Sequence, residues 1–353
     1  MRKNRGRIMS DLEIRVGLIG AGGNVRNRHI PGFQRVDGLE IVAVANRTVE
    51  SGRSVADQFD IPRVYSSWRE LLEDDDINAV CIGTWPYMHK TMTIAALESG
   101  KHVLTEARMA NTAEEAKAML EASRKHPDLV CQLTPTSTTY KIDKIIKRLV
   151  SEGFLGELLS VEVQALQNRF ADFGGDLHWR HDRELSGYNM LNIGAAYESM
   201  MRWFGRGNNV MAMGKVHVPY RKNTRGDLVS VSIPDHIDIL YELANNAQVH
   251  MRMSATTGHS TGNQIWFYGT EGTIYIDQQQ NVFGGRHDEN GLTAIDNPTE
   301  LQAYYRVEEE FSNAIRGTEE ITMVPFESGV HYIEWTEAVA RSIQTGNRMT
   351  LPL

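Results

Sequence analysis

One stretch of the sequence has the residue types and the spacing needed to bind a dinucleotide. The apolar run Ile14–Ile19 leads into the glycine turn Gly20-Ala21-Gly22-Gly23. A strand followed by such a turn and then a helix is typical of the nucleotide site of a doubly wound sheet. Gly20 allows the sharp turn, and Gly22 lets the backbone approach a pyrophosphate, whose charge the following N–H groups stabilise. The turn therefore predicts a dinucleotide site.

The motif departs from the usual pattern at its third glycine. Val25 stands at the position where that glycine normally packs the helix against the strand. Together with Gly23 and Asn24, Val25 completes the predicted phosphate-binding segment. The alternative interpretation is a plain glycine turn without a ligand, because a short glycine motif alone is a weak signal.

The end of the second β-rich run indicates which dinucleotide the site prefers. Leu39–Ala45 is followed by Asn46 and Arg47, at about the 20-residue spacing where an acidic residue usually binds the adenine ribose. Asn46 can hydrogen-bond a hydroxyl, and Arg47 can pair with a 2′-phosphate. The predicted cofactor is therefore NAD or NADP, with a preference for NADP. The alternative is that Arg47 is a surface arginine in a turn.

Strands and helices alternate through the first third of the chain, which predicts a parallel sheet with helices on both faces. The predicted strands are Ile14–Ile19, Leu39–Ala45, Val64-Tyr65, Ala79–Gly83, His102–Thr105 and Val130–Leu133. The predicted helices are Arg26–Arg35, Thr48–Phe59, Trp68–Leu72 with Ser67 as its N-cap, Lys90–Ser99 and Thr112–Lys125.

From Ile142 onward, strand-like runs follow one another, which predicts an open, mainly antiparallel sheet. The predicted strands are Leu158–Gln167, Val210–Val218, His236–Leu243, Gln248–Ala255, Gln264–Tyr268 and Thr273–Ile276. The predicted helices are Lys144–Glu152, Met190–Phe204, Tyr304–Arg316 and Ser328–Thr345.

These elements predict a disordered tail and two domains. The tail covers residues 1–13, and an α/β Rossmann domain follows over residues 14–135. An α+β domain with a large open, mainly antiparallel sheet covers residues 136–353, and its last helix packs back on the Rossmann domain. The boundary is expected near Leu133–Tyr140, where Thr, Pro and Ser cluster.

Length and composition predict a two-domain protein that binds neither nucleic acid nor membranes. A chain of 353 residues exceeds one ordinary core, and its net charge of -8 argues against nucleic acid. No apolar run is long enough to span a bilayer, and no His, Cys or Asp cluster has the spacing of metal ligands. Cys81 and Cys131 lie in apolar runs, which favours buried thiols and a cytoplasmic location.

Several short motifs occur in the order typical of one enzyme family. They are Gly20-Ala21-Gly22 with His29-Ile30-Pro31, Gly83-Thr84, Gly100-Lys101-His102-Val103-Leu104-Thr105-Glu106, Trp179-Arg180 with Asp182, Tyr268-Gly269-Thr270-Glu271-Gly272-Thr273 and Phe311-Ser312-Asn313-Ala314-Ile315-Arg316-Gly317. In order and spacing the sequence resembles the Gfo/Idh/MocA family of sugar and polyol oxidoreductases over nearly the whole chain. The resemblance implies an N-terminal Rossmann domain and a C-terminal α/β domain whose open sheet carries the substrate and often an oligomer interface.

Further cofactor contacts are predicted at the carboxyl edge of the parallel sheet, where ligands of such folds bind. Trp85, which replaces the usual proline of the family, and His89 lie in the loop after the fourth strand. The resemblance implies that Arg180 also contacts the cofactor. The remaining predicted contacts are Thr84, Glu106, Ala107 and Trp179.

The sequence lacks the ionisable residues that the resemblance implies. Glu106-Ala107-Arg108 replaces the family's Glu-Lys-Pro, and Asn192-Ile193-Gly194-Ala195-Ala196 replaces its Asp-x-Gly-x-His. Oxidation of a carbinol needs a base for the hydroxyl proton, which neither Ala107 nor Asn192 supplies. Either another group is the base, or the reaction is not a simple dehydrogenation.

The predicted catalytic residues lie in one loop and one helix. His181 belongs to the polar loop, and Tyr188, Asn192 and Tyr197 are assigned to the helix after it. Tyr188 and Asn192 lie one turn apart on one face of that helix. Each candidate has a structural alternative, because helix aromatics are often core residues and loop histidines often lie at the surface.

Positive groups are dense among the candidate site residues, with Arg108 after the fifth predicted strand and Arg180 and Arg183 in the polar loop. Arg108, His178, Asp182 and Arg183 are the predicted substrate-binding residues, and His178 and His181 are available to become charged. Arginine forks suit carboxylates, sulfonates and phosphates, so the predicted substrate is an anionic sugar or sugar derivative. The alternative is that these side chains are solvated.

Three functions fit these residues. The first is an NAD(P)-dependent oxidoreductase that transfers a hydride at a ring carbinol carbon of a sugar. The second is an NAD-dependent glycoside hydrolase that oxidises a ring carbon, eliminates the aglycone and returns the hydride, outside the two-carboxylate scheme. The third is a non-catalytic protein that binds cofactor or sugar. In each case the open sheet favours a homo-oligomer.

Overall fold

The computed structural model describes residues 13–136, 139–188 and 190–353. The tail predicted at residues 1–13 lies outside the described residues except for Glu13. The chain divides into two compact units, of which the first comprises residues 13–135 and Arg306–Val330. The second comprises Thr136–Tyr305 and His331–Leu353. The segment that joins the first unit late in the chain is Arg306–Val330, which ends within the last helix, Phe326–Thr345.

A six-stranded parallel sheet forms the first unit, in the order β3-β2-β1-β4-β5-β6. Every pairing in it is parallel. The order reverses direction between β1 and β4, as in a doubly wound fold, so the predicted Rossmann topology is confirmed. The strands are β1 Ile14–Ile19, β2 Leu39–Ala45, β3 Arg63–Tyr65, β4 Ala79–Ile82, β5 His102–Thr105 and β6 Cys131–Leu133.

Three helices of this unit begin after a side chain that caps their free N–H groups. Thr48, Ser67 and Thr112 each accept a hydrogen bond from the backbone N–H three residues later. The helix predicted at Arg26–Arg35 differs, because it contains a π-helical turn, Val25–His29, and ends at Phe33. The α-helices are α1 Ile30–Phe33, α2 Val49–Phe59, α3 Trp68–Leu72, α4 His89–Glu98 and α5 Ala113–Lys125.

The first helical turn packs on the sheet through Val25 rather than through a glycine. Val25 is buried, and its side chain occupies the space that a Cβ at Gly83 would need. The close approach that a helix glycine usually permits is therefore provided by a glycine at the end of β4. Gly20 adopts φ +81°, and an added Cβ would lie 2.6 Å from Thr84 Cγ2, so this position requires glycine twice over.

A nine-stranded sheet forms the second unit, in the order β16-β15-β14-β13-β7-β12-β11-β8-β17. Its pairings are antiparallel except for β7 with β12, so the predicted mainly antiparallel sheet is confirmed. β9 and β10 pair separately. The strands are β7 Leu158–Leu166, β8 Gly207–Lys215, β9 Tyr220–Lys222, β10 Leu228–Ser230, β11 His236–Leu243, β12 Gln248–Ser254, β13 Asn263–Gly269, β14 Gly272–Ile276, β15 Val282–Arg286, β16 Thr293–Ile295 and β17 Met349–Thr350.

The helix predicted at Met190–Phe204 begins later in the structure. Leu191 and Asn192 have φ of 48° and 60°, a left-handed conformation that cannot continue an α-helix. Tyr188 and Asn192 therefore precede the helix and do not share a helical face. The remaining helices are α6 Tyr140–Ser151, α7 Arg183–Ser186, α8 Ile193–Phe204, α9 Val307–Ile315 and α10 Phe326–Thr345.

One face of the nine-stranded sheet is buried under helices. Tyr197 of α8 stacks on Trp335 of α10 with ring centroids 4.2 Å apart, and both contact Tyr241 of β11 edge to face. On the opposite face of the same strands, Met213 and Leu240 are 77% and 56% exposed. Among the described helices, none combines the length and the apolar composition needed to cross a bilayer.

The packing of Val25 on Gly83 can be tested by a double-mutant cycle. Gly83→Ala should lower the free energy of unfolding by about 1–3 kcal/mol, because the new methyl group collides with Val25 and with the Gly20 carbonyl. Val25→Ala on the Gly83→Ala background should recover part of this loss, giving a favourable coupling energy in urea titrations. Gly23→Ala serves as the control, because its Cβ meets no heavy atom within 4 Å. Equal effects of Gly23→Ala and Gly83→Ala would contradict the packing argument.

Candidate active site

A cleft of roughly 670 Å³ lies at the carboxyl edge of the parallel sheet, within the first unit. It opens where β1, β2 and β4 end, which is the position where the strand order reverses. Ligands of doubly wound folds bind at this switch point. The predicted cofactor residues that line the cleft are Gly20, Gly22, Asn46, Arg47, Thr84 and Trp85.

The glycine turn leaves room for a pyrophosphate. An added Cβ at Gly22 would meet only the Gly20 carbonyl oxygen, at 4.0 Å, and Gly22 does not have a positive φ. Neither packing inside the protein nor backbone conformation therefore explains glycine at this position. The space above it belongs to the cleft, and that space is what a closely approaching phosphate needs. The turn fits the dinucleotide that the sequence predicts.

Asn46 connects the end of β2 to the glycine turn. Its Oδ1 accepts a hydrogen bond from the Ala21 N–H at 2.7 Å, and its Nδ2 donates to Ser51 Oγ at 3.0 Å. The sequence predicts that this amide binds a ribose hydroxyl, but its Oδ1 and its Nδ2 each already have a partner within the protein. Asn46 therefore lines the cleft mainly as a residue that holds the turn in place.

Arg47 and Trp85 face each other across the cleft lining. The Arg47 guanidinium lies 5.9 Å from the centroid of the Trp85 ring, at the outer limit of a cation–π contact. Several other residues line the cleft and are not among the predicted cofactor contacts. Most of them carry hydroxyl groups near the starts of α2 and α3, where the sequence pattern is that of ordinary helix caps. These additional residues are Arg26, Thr48, Ser51, Ser54, Ser66, Ser67, Trp68, Tyr87, Met88 and Met92.

His89 is a buried structural residue rather than a ligand contact in a loop. It is the first residue of α4 and is fully buried. Its Nδ1 lies 2.9 Å from the Arg108 carbonyl oxygen, and its Nε2 lies 3.0 Å from the Thr84 carbonyl oxygen. Burial lowers the pKa of His89, against the opposing effect of these carbonyls. The imidazole thus joins the ends of β4 and β5, and the predicted direct cofactor contact is corrected.

His29 is held between two carboxylates in the interior of the first unit. Its Nε2 lies 2.8 Å from Glu106 Oε1, and its Nδ1 lies 2.5 Å from Glu308 Oε1, with the ring completely buried. Burial alone would lower the pKa of His29, but hydrogen bonds and charges from Glu106 and Glu308 outweigh it and raise the pKa to about 9. Glycine is needed at position 32, since a Cβ there would lie 2.5 Å from Glu308 Cδ.

Glu106 has its carboxylate fully engaged by the protein. Besides His29, it accepts hydrogen bonds from Asn24 Nδ2 and, at 3.1 Å, from Thr134 Oγ1. Burial tends to raise the pKa of Glu106, but the hydrogen bond and charge of His29 lower it, as do the hydrogen bonds from Asn24 and Thr134. The Ala107 N–H donates to Thr134 Oγ1 at 2.8 Å, so the backbone after β5 is fixed as well. Glu106 and Asn24 therefore belong to the hydrogen-bond network around His29.

Arg108 and the histidines of the loop differ from the prediction. Arg108 is only 8% exposed, so it is not a solvated surface arginine. His178 Nδ1 accepts the Arg180 N–H, and His181 Nδ1 accepts the His178 N–H at 3.1 Å. Burial lowers the pKa of His178 and, with the nearby charge of Arg221, lowers the pKa of His181 to about 4. Both imidazoles are therefore neutral near pH 7 and add no charge for an anion.

The other loop residues form two groups. Asp182 caps α7 by accepting the Glu184 N–H at 2.9 Å, so its predicted substrate contact is corrected to a structural role. Arg183 is exposed, donates from Nη2 to the Tyr188 hydroxyl at 2.8 Å and lies 4.7 Å from the centroid of that ring. The Arg180 guanidinium lies 4.2 Å from the centroid of the Trp179 ring, so these two predicted contacts lie together in the second unit.

Tyr197 and Asn192 have opposite environments. Tyr197 is 1% exposed, its hydroxyl accepts the Gly207 N–H at 2.9 Å, and burial raises its pKa to about 12. It is a core residue, and its predicted catalytic role is corrected. Asn192 is exposed in the strained turn before α8. Left-handed non-glycine residues of this kind cluster at functional sites.

Within the described residues, no group of His, Cys, Asp and Glu side chains is arranged to hold a metal ion. Cys81 and Cys131 are free thiols, of which Cys81 is fully buried. Burial raises the pKa of both cysteines, to about 12 for Cys131. Neither is therefore an activated nucleophile.

Two family models match the chain. One, described as an oxidoreductase family with an NAD-binding Rossmann fold, matches residues 14–134. The other, a GFO/IDH/MocA C-terminal domain, matches residues 144–275. Together they cover more than two thirds of the 353 residues. The first unit is thus an NAD-binding domain, in agreement with the geometry of its cleft.

Known oxidoreductases are similar to the chain in sequence. Levoglucosan dehydrogenase of Pseudarthrobacter phenanthrenivorans is 28% identical over 258 residues, which is 68% of this chain and 65% of that protein. The 1,5-anhydro-D-fructose reductase of Ensifer adhaerens is 36% identical over 149 residues, 42% of this chain and 44% of that protein. A levoglucosan dehydrogenase structure with NADH and L-sorbose has a TM-score of 0.82 at 22% identity, covering 96% of this chain and 99% of that one.

The buried ion network around His29 predicts a stability that depends on pH. Because folding raises the pKa of His29 to about 9, its stabilisation is complete below its ordinary pKa of about 6.5 and is lost as pH rises through about 9. We expect the free energy of unfolding to fall by on the order of 2–3 kcal/mol across that window. Urea titrations at several pH values, followed by tryptophan fluorescence, measure the slope.

The His29→Gln variant separates this network from other titrating groups. It should be less stable at pH 6.5 and should lack the decline toward pH 9 that the parent protein shows. His287→Gln is the control, because His287 has a side chain that is 69% exposed. A His29→Gln protein with the same pH slope as the parent would contradict the proposed charge state.

Proposed function

Because the chain belongs to the Gfo/Idh/MocA family of oxidoreductases, we propose that it transfers a hydride between a ring carbinol carbon of a sugar and a nicotinamide dinucleotide. The observation that carries this proposal is the cleft at the switch point, with open space above Gly22. When bound, the nicotinamide ring supplies the hydride acceptor or donor. The similarity to levoglucosan dehydrogenase and 1,5-anhydro-D-fructose reductase supports a cyclic sugar as substrate.

Tyr188 is the proposed acceptor of the hydroxyl proton, in the phenolate form that it reaches by releasing its own proton to solvent. Tyr197 is buried in the core, and burial with nearby cations lowers the pKa of His181 to about 4, which makes it a weak base. Tyr188 is partly exposed, and Arg183 donates a hydrogen bond to its hydroxyl oxygen. A guanidinium in this position stabilises the negative charge that develops on a phenol oxygen as its proton leaves.

Asn192 is the proposed anchor of the substrate hydroxyl. Its exposed amide stands where the family has a carboxylate, and the left-handed turn at Leu191 and Asn192 holds it outside the helix. An amide can donate to and accept from a hydroxyl, but it cannot take its proton. Proton acceptance by Tyr188 and binding by Asn192 are therefore separate roles. Exposed Arg180 and Arg183 on the same loop support an acidic sugar as the preferred substrate.

The altered residue set also favours a second candidate function. Ala107, Asn192 and Ala196 replace all three ionisable groups of the family pattern. In a redox-assisted glycosidase, a ring carbon is oxidised, the acidified neighbouring C–H loses its proton and the aglycone leaves. Water then adds to the resulting double bond and the hydride returns, so the dinucleotide is unchanged overall. Release of free sugar from glycosides at constant absorbance of the reduced nicotinamide would replace the dehydrogenase proposal by this one. Dinucleotide binding without any sugar response would favour a non-catalytic protein.

The catalytic assignment can be tested with purified protein, both dinucleotides and a panel of neutral and acidic cyclic sugars. Tyr188→Phe should lower kcat by about 10²–10⁴-fold, as expected for loss of a proton acceptor, while KM changes little. Asn192→Ala should mainly raise KM. Tyr220→Phe is the matched control, since Tyr220 is an exposed tyrosine of the same unit. A Tyr188→Phe enzyme with parental kcat would contradict the assignment.

We also propose that the open face of the nine-stranded sheet is a self-association surface. The strand registers place one residue of each strand in a continuous row on this face, because directly paired residues point to the same side. The row is Met211, Leu240, His250, Glu162, Trp266, Tyr275 and Phe283. Trp266 and Tyr275 stack at 4.1 Å, and Met211 and Leu240 are exposed. Apart from His250 and Glu162 in its middle, this row is apolar or aromatic, and such a row on an uncovered sheet favours a second copy of the chain.

Two variants test this surface. Leu240→Glu and Met213→Glu should each shift the protein toward the monomer in light scattering coupled to gel filtration, because each places a charge within the apolar row or beside it. Phe173→Glu is the control, since Phe173 is 68% exposed but lies outside the sheet. A monomeric parent protein at micromolar concentration would exclude the surface as a stable interface.

A further inference from the structure

We propose that the cleft selects the dinucleotide that carries a 2′-phosphate on its adenine ribose, and that Arg47 recognises this phosphate. The inference rests on the proposed function, because it concerns the cofactor of the same site. It goes beyond the match to an NAD-binding domain, which does not distinguish the two dinucleotides. Three observations in the first unit carry it.

The first observation is that the cleft lacks a carboxylate for an unphosphorylated ribose. Sites for NAD usually place an acidic residue at the end of the second strand, where it accepts hydrogen bonds from the ribose hydroxyls. Here Asn46 occupies that position, and its Oδ1 accepts the Ala21 N–H while its Nδ2 donates to Ser51. The amide is committed to the protein, so it is a poor substitute for a ribose-binding carboxylate.

The second observation is the charge of the lining. The residues that line the cleft include two arginines, Arg26 and Arg47, and no aspartate or glutamate. Arg47 is exposed and directly follows Asn46, beside the position of the ribose in this type of fold. Its planar guanidinium matches the geometry of a phosphate, and no lining carboxylate repels the added charge.

The third observation is a set of hydroxyl groups at the same end of the cleft. Thr48 Oγ1 accepts the Ser51 N–H, and Ser67 Oγ accepts the Glu70 N–H, as helix caps. Because each oxygen already accepts a backbone hydrogen, its own O–H proton is available to donate to an anion. A phosphate between the starts of α2 and α3 can thus receive hydrogen bonds as well as charge.

The acidic side chains of these helices do not oppose a phosphate strongly. Glu70 accepts hydrogen bonds from the Ser66 N–H at 3.2 Å and from Ser66 Oγ at 2.8 Å, so its carboxylate is held by its own helix start. Glu50 lies in the first turn of α2 but does not line the cleft. The Arg47 guanidinium lies 5.9 Å from the centroid of the Trp85 ring, and both side chains line the cleft.

Equilibrium binding of NADPH and NADH, measured by fluorescence titration without any sugar, tests the inference. The parent protein should bind NADPH at least about tenfold more tightly than NADH, with a steeper salt dependence. Arg47→Ala should weaken NADPH binding by about 10–100-fold and leave NADH binding within about twofold, because a bidentate charge-assisted contact is lost. Thermal shifts measured with 2′,5′-ADP and with 5′-AMP compare ligands with and without the 2′-phosphate. Both ligands lack the nicotinamide half, so this comparison reports on the adenosine end of the cleft alone.

Two further variants sharpen the result. Arg53→Ala removes an exposed arginine of α2 that does not line the cleft. This variant should change the affinity for neither NADPH nor NADH. Asn46→Asp keeps an acceptor for the Ala21 N–H and adds the missing carboxylate, so it should reverse the preference toward NADH. The inference would be overturned if the parent protein bound NADH as tightly as NADPH or more tightly. It would also be overturned if Arg47→Ala weakened the binding of NADPH and of NADH equally. Absence of binding to either dinucleotide would instead refute the proposed function.

Discussion

The first unit depends on a buried cation between two carboxylates. His29 follows the glycine turn, Glu106 ends the fifth strand of the sheet, and Glu308 comes from a helix 279 residues later in the chain. An unpaired charge in such a place would be strongly destabilising, but a histidinium with two carboxylates and further hydrogen bonds from Asn24 and Thr134 is compensated. The network joins the segment after the glycine turn to the end of the fifth strand and to a helix from late in the chain.

The sequence predicts the framework well because the framework is encoded locally. The first two strands have the predicted bounds, since each is a continuous apolar run ended by a glycine or an asparagine. Capping by Ser67 is also confirmed, because a hydroxyl before a helical run needs no distant partner. The packing of Val25 on Gly83 is different, since nothing in either local segment indicates that the glycine needed for close approach is on the strand side.

The site is predicted less well because its roles depend on distant partners and on backbone conformation. Tyr197 looked catalytic in sequence, but its hydroxyl is bound by a backbone N–H and its ring stacks on Trp335. The left-handed turn at Leu191 and Asn192 has no glycine to signal it, so the start of the following helix was placed too early. The serines of the cleft resemble ordinary helix caps, and they become a binding surface only when two helix starts are brought together.

The late return of Arg306–Val330 to the first unit has a consequence for biosynthesis. A chain emerging from the ribosome has its whole parallel sheet available by residue 133, yet Glu308 and the rest of that helix are still missing. The sheet must therefore remain incompletely covered while Thr136–Tyr305 of the second unit is translated, and the final closure joins residues of very large sequence separation. Fragments that stop before this segment leave His29 with only one of its two carboxylates, so they lack the Glu308 contact that helps to compensate its buried charge.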